Sequence, residues 1–125
     1  MQSGQKLYSR ARHIIPGGTQ LLSKRPEMFL PEQWPSYYAK AVGIYVWDLD
    51  GNQYQDFTHF GVGSCVLGYA DPDVNAAVEN AIRQGVMCTL NCPEEVALAE
   101  LLLELHPWAE MVRLARTGGE ALAIA

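Results

Sequence analysis

The residues Thr117, Gly118, Gly119, Glu120 and Ala121 carry the clearest chemical signal in this sequence. They follow a β-like run, Met111 to Ala115, and lead into a helix-like run from Glu120. Two consecutive glycines let the backbone bend tightly and leave its amides open to a ligand, with no Cβ in the way. The first N–H groups of a helix have no partner inside it and carry the positive end of its dipole. Strand, glycines and helix together are therefore a ready place for a phosphate. The pattern is neither the G-x-G-x-x-G of dinucleotide folds nor the G-x-x-x-x-G-K-[ST] of nucleoside triphosphatases. Read locally, it suits an ordinary βα turn as well as an anion site, and both readings stay open.

Other residue types able to do chemistry are sparse. His59 lies in a small, glycine-rich stretch without an acidic partner to orient it as a base, so it reads as a loop histidine lining a site. Cys88 and Cys92 form a Cys-x₃-Cys pair that His59 or His106 would have to complete as a metal site, and no second pair supports this. Three cysteines, odd in number, argue against a disulfide framework and read as reduced, small, buried apolar side chains.

Composition excludes several function classes. With 49% hydrophobic and 18% charged residues the 125-residue chain is ordinary globular material, enough for one domain. Its net charge is −5, and the nine Lys and Arg are scattered rather than gathered into a stripe, against a nucleic-acid or acidic-membrane partner. No apolar run approaches the ~20 residues of a membrane span, and Met1 to Arg12 is polar where a signal peptide would be apolar. Small molecules or a second copy are the expected partners, in the cytoplasm.

Several elements must position these residues. Lys6 to Ile15 places Leu7, Ala11 and Ile14 on one helical face and stops at Pro16-Gly17-Gly18. Thr19 to Ser36, with three prolines and no periodicity, reads as a long loop, either an active-site cover or an arm gripping a partner subunit. Tyr37 to Phe57 is β-like around Asp50-Gly51, a hairpin signal; a two-residue turn there sets Trp47 across from Tyr54, and a longer loop shifts that register by one.

Asp71-Pro72 opens a helix with Val74, Ala77, Val78, Ala81 and Ile82 on one face and Gly85 as its stop. A second helix, from about Asn91–Pro93 to His106, is apolar over most of its circumference and should be buried on more than one side. Finally, Ala121 to Ala125 is apolar and uncapped, which predicts a helix that continues and a chain that is the front of a longer protein.

These residues also carry a family likeness. Val46-Trp47-Asp48 with Asp50-Gly51, Tyr54 and Asp56-Phe57, then Leu67-Gly68-Tyr69-Ala70 with Pro72 and Val74, then Glu110-Met111-Val112-Arg113 leading to Gly118, Glu120 and Ala121, resemble the N-terminal part of class III aminotransferases. Within that family the likeness is to the glutamate-1-semialdehyde aminomutase branch, whose first segment Ile14-Ile15-Pro16-Gly17-Gly18 is similar to. The resemblance implies an α/β fold: the N-terminal segment and start of the large domain of a fold-type I transferase dependent on pyridoxal 5′-phosphate. Its parts are a helix, a β-hairpin, two helices and a strand-turn-helix phosphate loop. Residues 1–57 are expected to form arm, cover loop and hairpin, and residues 58–125 the start of the cofactor-binding domain.

By the same resemblance the protein moves an amino group on a small-molecule substrate and works as a homodimer with shared active sites. The cofactor phosphate falls to Thr117, Gly118 and Gly119, where the family usually reads Ser-Gly-Thr, so Gly119 removes one hydroxyl. A substrate carboxylate falls to Lys24 or Arg25, in Thr19-Gln20-Leu21-Leu22-Ser23-Lys24-Arg25, where the aminomutases have a Ser-Pro-Val-Arg run. One extra residue between Asp56 and Pro72 also departs from the aminomutase pattern at the expected edge of the substrate pocket. The family's Schiff-base lysine and pyridinium partner lie beyond position 125, and none of Lys6, Lys24 and Lys40 matches that lysine, so no catalytic residue is assigned and the 125 residues alone are expected to be inactive. A class III aminotransferase for another amino acid or an amino sugar, and a noncatalytic truncated module, remain as alternatives.

Overall fold

The computed structural model describes residues 2–125. Along the chain come α1 (Ser3–Ile14), β1 (Tyr38–Val42), β2 (Tyr45–Asp48), β3 (Gln53–Gln55), α2 (Phe60–Gly63), α3 (Pro72–Gln84), α4 (Pro93–Leu105) and α5 (Gly118–Ile124), with three short 3-10 turns between α1 and β1. The chain divides into two units, Met1–Asn80 and Ala81–Ala125.

In the first unit, α1 begins with a reciprocal cap between Gln2 and Gln5. The Ser3 N–H donates to Oδ2 of Asp50 at 2.8 Å, and the Ser3 hydroxyl donates to its Oδ1. An acidic side chain from the hairpin turn thus sits at the positive end of α1. Ala11 is buried and Leu7 half-buried, but Ile14, expected on the same face, is exposed. The segment read as an open loop, 19–36, contains 3-10 turns at Leu22–Lys24 and Pro26–Met28 and a stack of Phe29 on Trp34 with ring centroids 4.5 Å apart.

The sheet is antiparallel in the order β1-β2-β3. The sequence shows one β run before Asp50; the chain folds back twice, first at Gly43. In the second hairpin Trp47 pairs with Gln53 and Val46 with Tyr54, so the Trp47–Tyr54 pairing of a two-residue turn is not formed. Asp48 is the reason. Its N–H donates to the Asn52 carbonyl, and its own carbonyl accepts from Gly51, enclosing Leu49, Asp50 and Gly51 in a three-residue turn. Gly51 sits at φ 84°, the left-handed position that such turns require. The Asp48 carboxylate, 4% exposed, accepts from the Asp50 and Asn52 N–H groups, the Asn52 amide and the Tyr54 hydroxyl, at 2.9–3.0 Å. Chiefly the Asn52 amide holds this carboxyl below the usual carboxylate range.

The α3 helix starts as the sequence predicts, with Oδ1 of Asp71 accepting from the Asp73 and Val74 N–H groups at 3.1 and 3.0 Å, and it ends before Gly85. In the second unit, α4 spans Pro93–Leu105. Its apolar circumference is largely exposed in this chain: Val96, Leu98, Leu101 and Leu105 face outward, and Ala99, Leu102 and Leu103 are half-buried. Met111 to Ala115, expected as a strand, carries none, because a strand needs a ladder partner and no described residue pairs with it. Cys88 and Cys92 are exposed and Cys65 half-buried, so the cysteines are not the buried side chains expected. No helix among the described residues is long and apolar enough to cross a membrane.

Candidate functional site

In the second unit the 117–121 turn forms the start of α5. Thr117 is its N-cap, and the Thr117 hydroxyl oxygen accepts from the Glu120 N–H at 3.1 Å, which leaves the hydroxyl proton to donate. Glu120 folds back on Arg116, the residue before the N-cap: its Oε2 accepts from the Arg116 N–H at 3.0 Å and its Oε1 from the Arg116 guanidinium at 2.7 Å. The carboxylate beside the helix N-terminus is thereby matched by a cation.

Gly118 and Gly119 are the first helical residues and do not need left-handed torsions, so their value is space rather than backbone freedom. A methyl on Gly118 would meet no heavy atom within 4 Å, and one on Gly119 would touch only the Thr117 hydroxyl oxygen at 4.0 Å. Their N–H groups belong to the unpaired first turn of the helix. Two open amides and a hydroxyl with a proton to give make a donor set that fits a phosphate oxygen.

In the first unit the structure separates the two residues expected to meet a substrate carboxylate. Lys24 ends a 3-10 turn and is exposed. Arg25 lines a cavity of about 250 Å³ with Tyr8, Arg12, Gly17, Gly18 and Glu27. Its Nε is shielded from solvent and hydrogen-bonded to nothing among the described residues, and Oε2 of Glu27 lies 4.0 Å away. The Tyr8 hydroxyl donates to both oxygens of Glu27, at 3.0 and 2.8 Å. Burial first, then Glu27, pushes the Tyr8 phenol up, while backbone and Tyr8 hydrogen bonds hold Glu27 below the usual carboxylate range. Nothing in local sequence joins Tyr8 to Glu27, 19 positions apart; α1 and the 3-10 turns bring them together.

His59 precedes α2 and, contrary to the sequence reading, has an acidic neighbour in Asp56, whose carboxyl feels its charge. That carboxylate is already engaged by the Thr58 N–H at 2.8 Å and the Tyr69 hydroxyl at 2.6 Å. Lys40 lies over the Trp47 ring, 5.0 Å from its centroid, a cation–π contact rather than a nucleophile's setting. Among the described residues no group of three His, Cys, Asp or Glu is placed to hold a metal ion.

Solved structures similar to this chain include transaminases. An omega-transaminase from Sphaerobacter thermophilus superposes with a TM-score of 0.82 at 32% identity, over 98% of this chain and 27% of that one. The PLP internal aldimine form of the FumI protein of Sphingopyxis sp. MTA144 does so with a TM-score of 0.84 at 28% identity, over 98% of this chain and 29% of that one. The model of the family described as Aminotransferase class-III matches residues 31–125. The chain belongs to the class III aminotransferase family, and its fold is an α/β fragment of the fold-type I kind.

Among relatives, a glutamate-1-semialdehyde 2,1-aminomutase of Methanothrix thermoacetophila is 36% identical over 97% of this chain and 27% of its own length. A 3-aminobutyryl-CoA aminotransferase of Cloacimonas acidaminovorans is 34% identical over 95% of this chain and 28% of its own. The chain thus spans little more than a quarter of the relatives it matches.

Proposed function

We propose that this chain is the N-terminal part of a pyridoxal 5′-phosphate-dependent enzyme that transfers an amino group, of the aminotransferase or aminomutase kind. Residues 1–57 form its arm, cover loop and hairpin region and residues 58–125 the start of its cofactor domain. The observation that carries this reading is the open, Thr117-capped start of α5, in a chain of the class III family. When bound, pyridoxal 5′-phosphate supplies an electron sink for moving an amino group between carbon centres.

The residues here hold rather than react. Thr117, Gly118 and Gly119 donate to the phosphate, Arg116 offsets Glu120 beside it, and Arg25, better placed than the exposed Lys24, meets the carboxylate of a small amino substrate. In this reading the whole protein is a cytoplasmic homodimer with shared active sites, and the catalytic lysine lies outside these residues. Relatives that are aminomutases and a relative that is an aminotransferase support the class without choosing between internal exchange and transfer.

Equilibrium binding of pyridoxal 5′-phosphate against pyridoxal tests the phosphate loop. The phosphate form should bind at least roughly tenfold tighter, the worth of one or two charged hydrogen bonds. Replacing Gly119 with Asp should erase that advantage. Equal binding of the two forms would sink the assignment of this loop.

A further inference from the structure

The segment between α3 and α4 leads through two of the three cysteines, and the function proposed above uses neither. Cys88 and Cys92 are both exposed and both free, whereas Cys65 is half-buried. The pair belongs to one unit, and the chain between the two bends at Thr89 and Leu90. Among the described residues, 86–91 make no backbone hydrogen bond, so neither a ladder nor a helix holds this stretch in place. Met87, beside Cys88, keeps a left-handed φ of 59° that is uncommon for a residue with a Cβ. Cys92 is the N-cap of α4, in an extended conformation, and its thiol makes no capping hydrogen bond. A disulfide needs Cα atoms about 5.5–6 Å apart, and a short segment that already turns, with no backbone bonds to break, can close to that distance.

We propose that Cys88 and Cys92 form a redox-active dithiol, a reversible modification site at the entry to α4 whose co-reactant is a small-molecule disulfide. One cysteine, as its thiolate, attacks a sulfur of that disulfide; the S–S bond breaks, a mixed disulfide forms and one small thiol leaves. The other cysteine then attacks the protein sulfur of the mixed disulfide and displaces the second small thiol. The protein gives up two electrons and two protons, and the small disulfide takes up both. Closing this ring tethers the Cys92 cap and restricts the opened states of the segment, so the first turn of α4 opens less often in the oxidised protein.

The test incubates the native protein with glutathione disulfide, alkylates the remaining thiols and weighs the tryptic peptide Gln84–Arg113, which holds both cysteines. The expected product is a peptide lighter by two hydrogens, alkylated at neither site and restored by reduction. At about 0.1 mM free glutathione, the millimolar effective concentration of a short tether predicts roughly tenfold more of this product than of mixed disulfides. Cys92→Ser should leave only a mixed disulfide on Cys88, and Cys65→Ser should change nothing. Mixed disulfides on both cysteines without the internal bond, or thiols that still alkylate fully after the incubation, would overturn the proposal. Amide exchange at Glu95 should be slower in the oxidised protein; unchanged exchange would overturn the effect on α4 while the modification site stands.

Discussion

The Tyr69 hydroxyl donates a 2.6 Å hydrogen bond to Oδ2 of Asp56, and these two residues bracket the loop 57–68. Both ends of that loop are tied to the same β-turn: the Asp56 N–H donates to the Ile44 carbonyl, and Gly43 and Tyr69 exchange two backbone hydrogen bonds at 2.7 and 2.8 Å. Phe60, at the start of α2, packs edge-on against the Tyr69 ring at 5.5 Å. The result is a closed surface loop with its neck clasped, of the type that often carries function.

Tyr69→Phe removes the hydroxyl and leaves Asp56 with one donor fewer. Loss of a charge-assisted hydrogen bond at this half-buried pair should cost about 1 kcal/mol, at the low end because of solvent screening. Denaturant unfolding checks the magnitude, and amide exchange at Gly43 and Asp56 checks its place: faster exchange confined to the neck of the loop is expected.

The same pair gives a pH dependence with two limbs. Burial raises the Asp56 pKa, but hydrogen bonds from Thr58 and Tyr69 outweigh it and bring the carboxyl below its ordinary 3.8. Its stabilisation is present above 3.8 and is lost as pH falls through the lowered folded value. Burial, then Asp56, pushes the Tyr69 phenol up from 10.0 to about 12. Its stabilisation is complete below 10.0 and is lost as pH rises towards about 12. Stability measured against pH should fall at both ends, and Tyr69→Phe should flatten the Tyr69 contribution above pH 10.0 and weaken the acid fall.

Gly68 and Gly43 separate backbone strain from crowding. Both have positive φ, 95° and 57°. A methyl on Gly68 would also lie 3.1 Å from the Gly43 carbonyl oxygen, whereas one on Gly43 meets nothing within 4 Å. Gly43→Ala should therefore cost about 1 kcal/mol from conformation alone, and Gly68→Ala distinctly more. Thermal unfolding of the two variants provides the comparison; equal losses would mean that contact with Gly43 is not what requires glycine at 68.

At α5, stability and binding should move in opposite directions. Gly118→Ala places a helix former at a helical position with open space around it and should stabilise α5 by about 0.5 kcal/mol. The same methyl intrudes where a phosphate would approach the amide, so pyridoxal 5′-phosphate should bind more weakly. Thr117→Ala should instead lower both, removing the cap for about 1 kcal/mol and a donor together. Amide exchange at Glu120 and cofactor titration read the two effects separately.

Local rules in the sequence were enough to determine the bounds of α3 and α4, but not the start of α1, expected at Lys6 and found at Ser3, or of α5, expected near Glu120 and found at Gly118. Asp71-Pro72 and Gly85 bound α3, and Pro93 and His106 bound α4, because caps and breakers act within a few residues. The class III likeness was also legible, since it rests on residues spaced along most of the chain. Tertiary structure alone decided the rest. The hairpin register turned on the Asp48 side chain closing a three-residue turn, a choice that the Asp-Gly pair by itself leaves open. The reading of Met111 to Ala115 as a strand failed because β propensity does not supply a neighbouring strand. The Tyr8–Glu27–Arg25 cavity and the Asp56–Tyr69 clasp join residues distant in sequence through side-chain hydrogen bonds, and periodicity, which reports only which face a residue shares, does not encode which partner it meets.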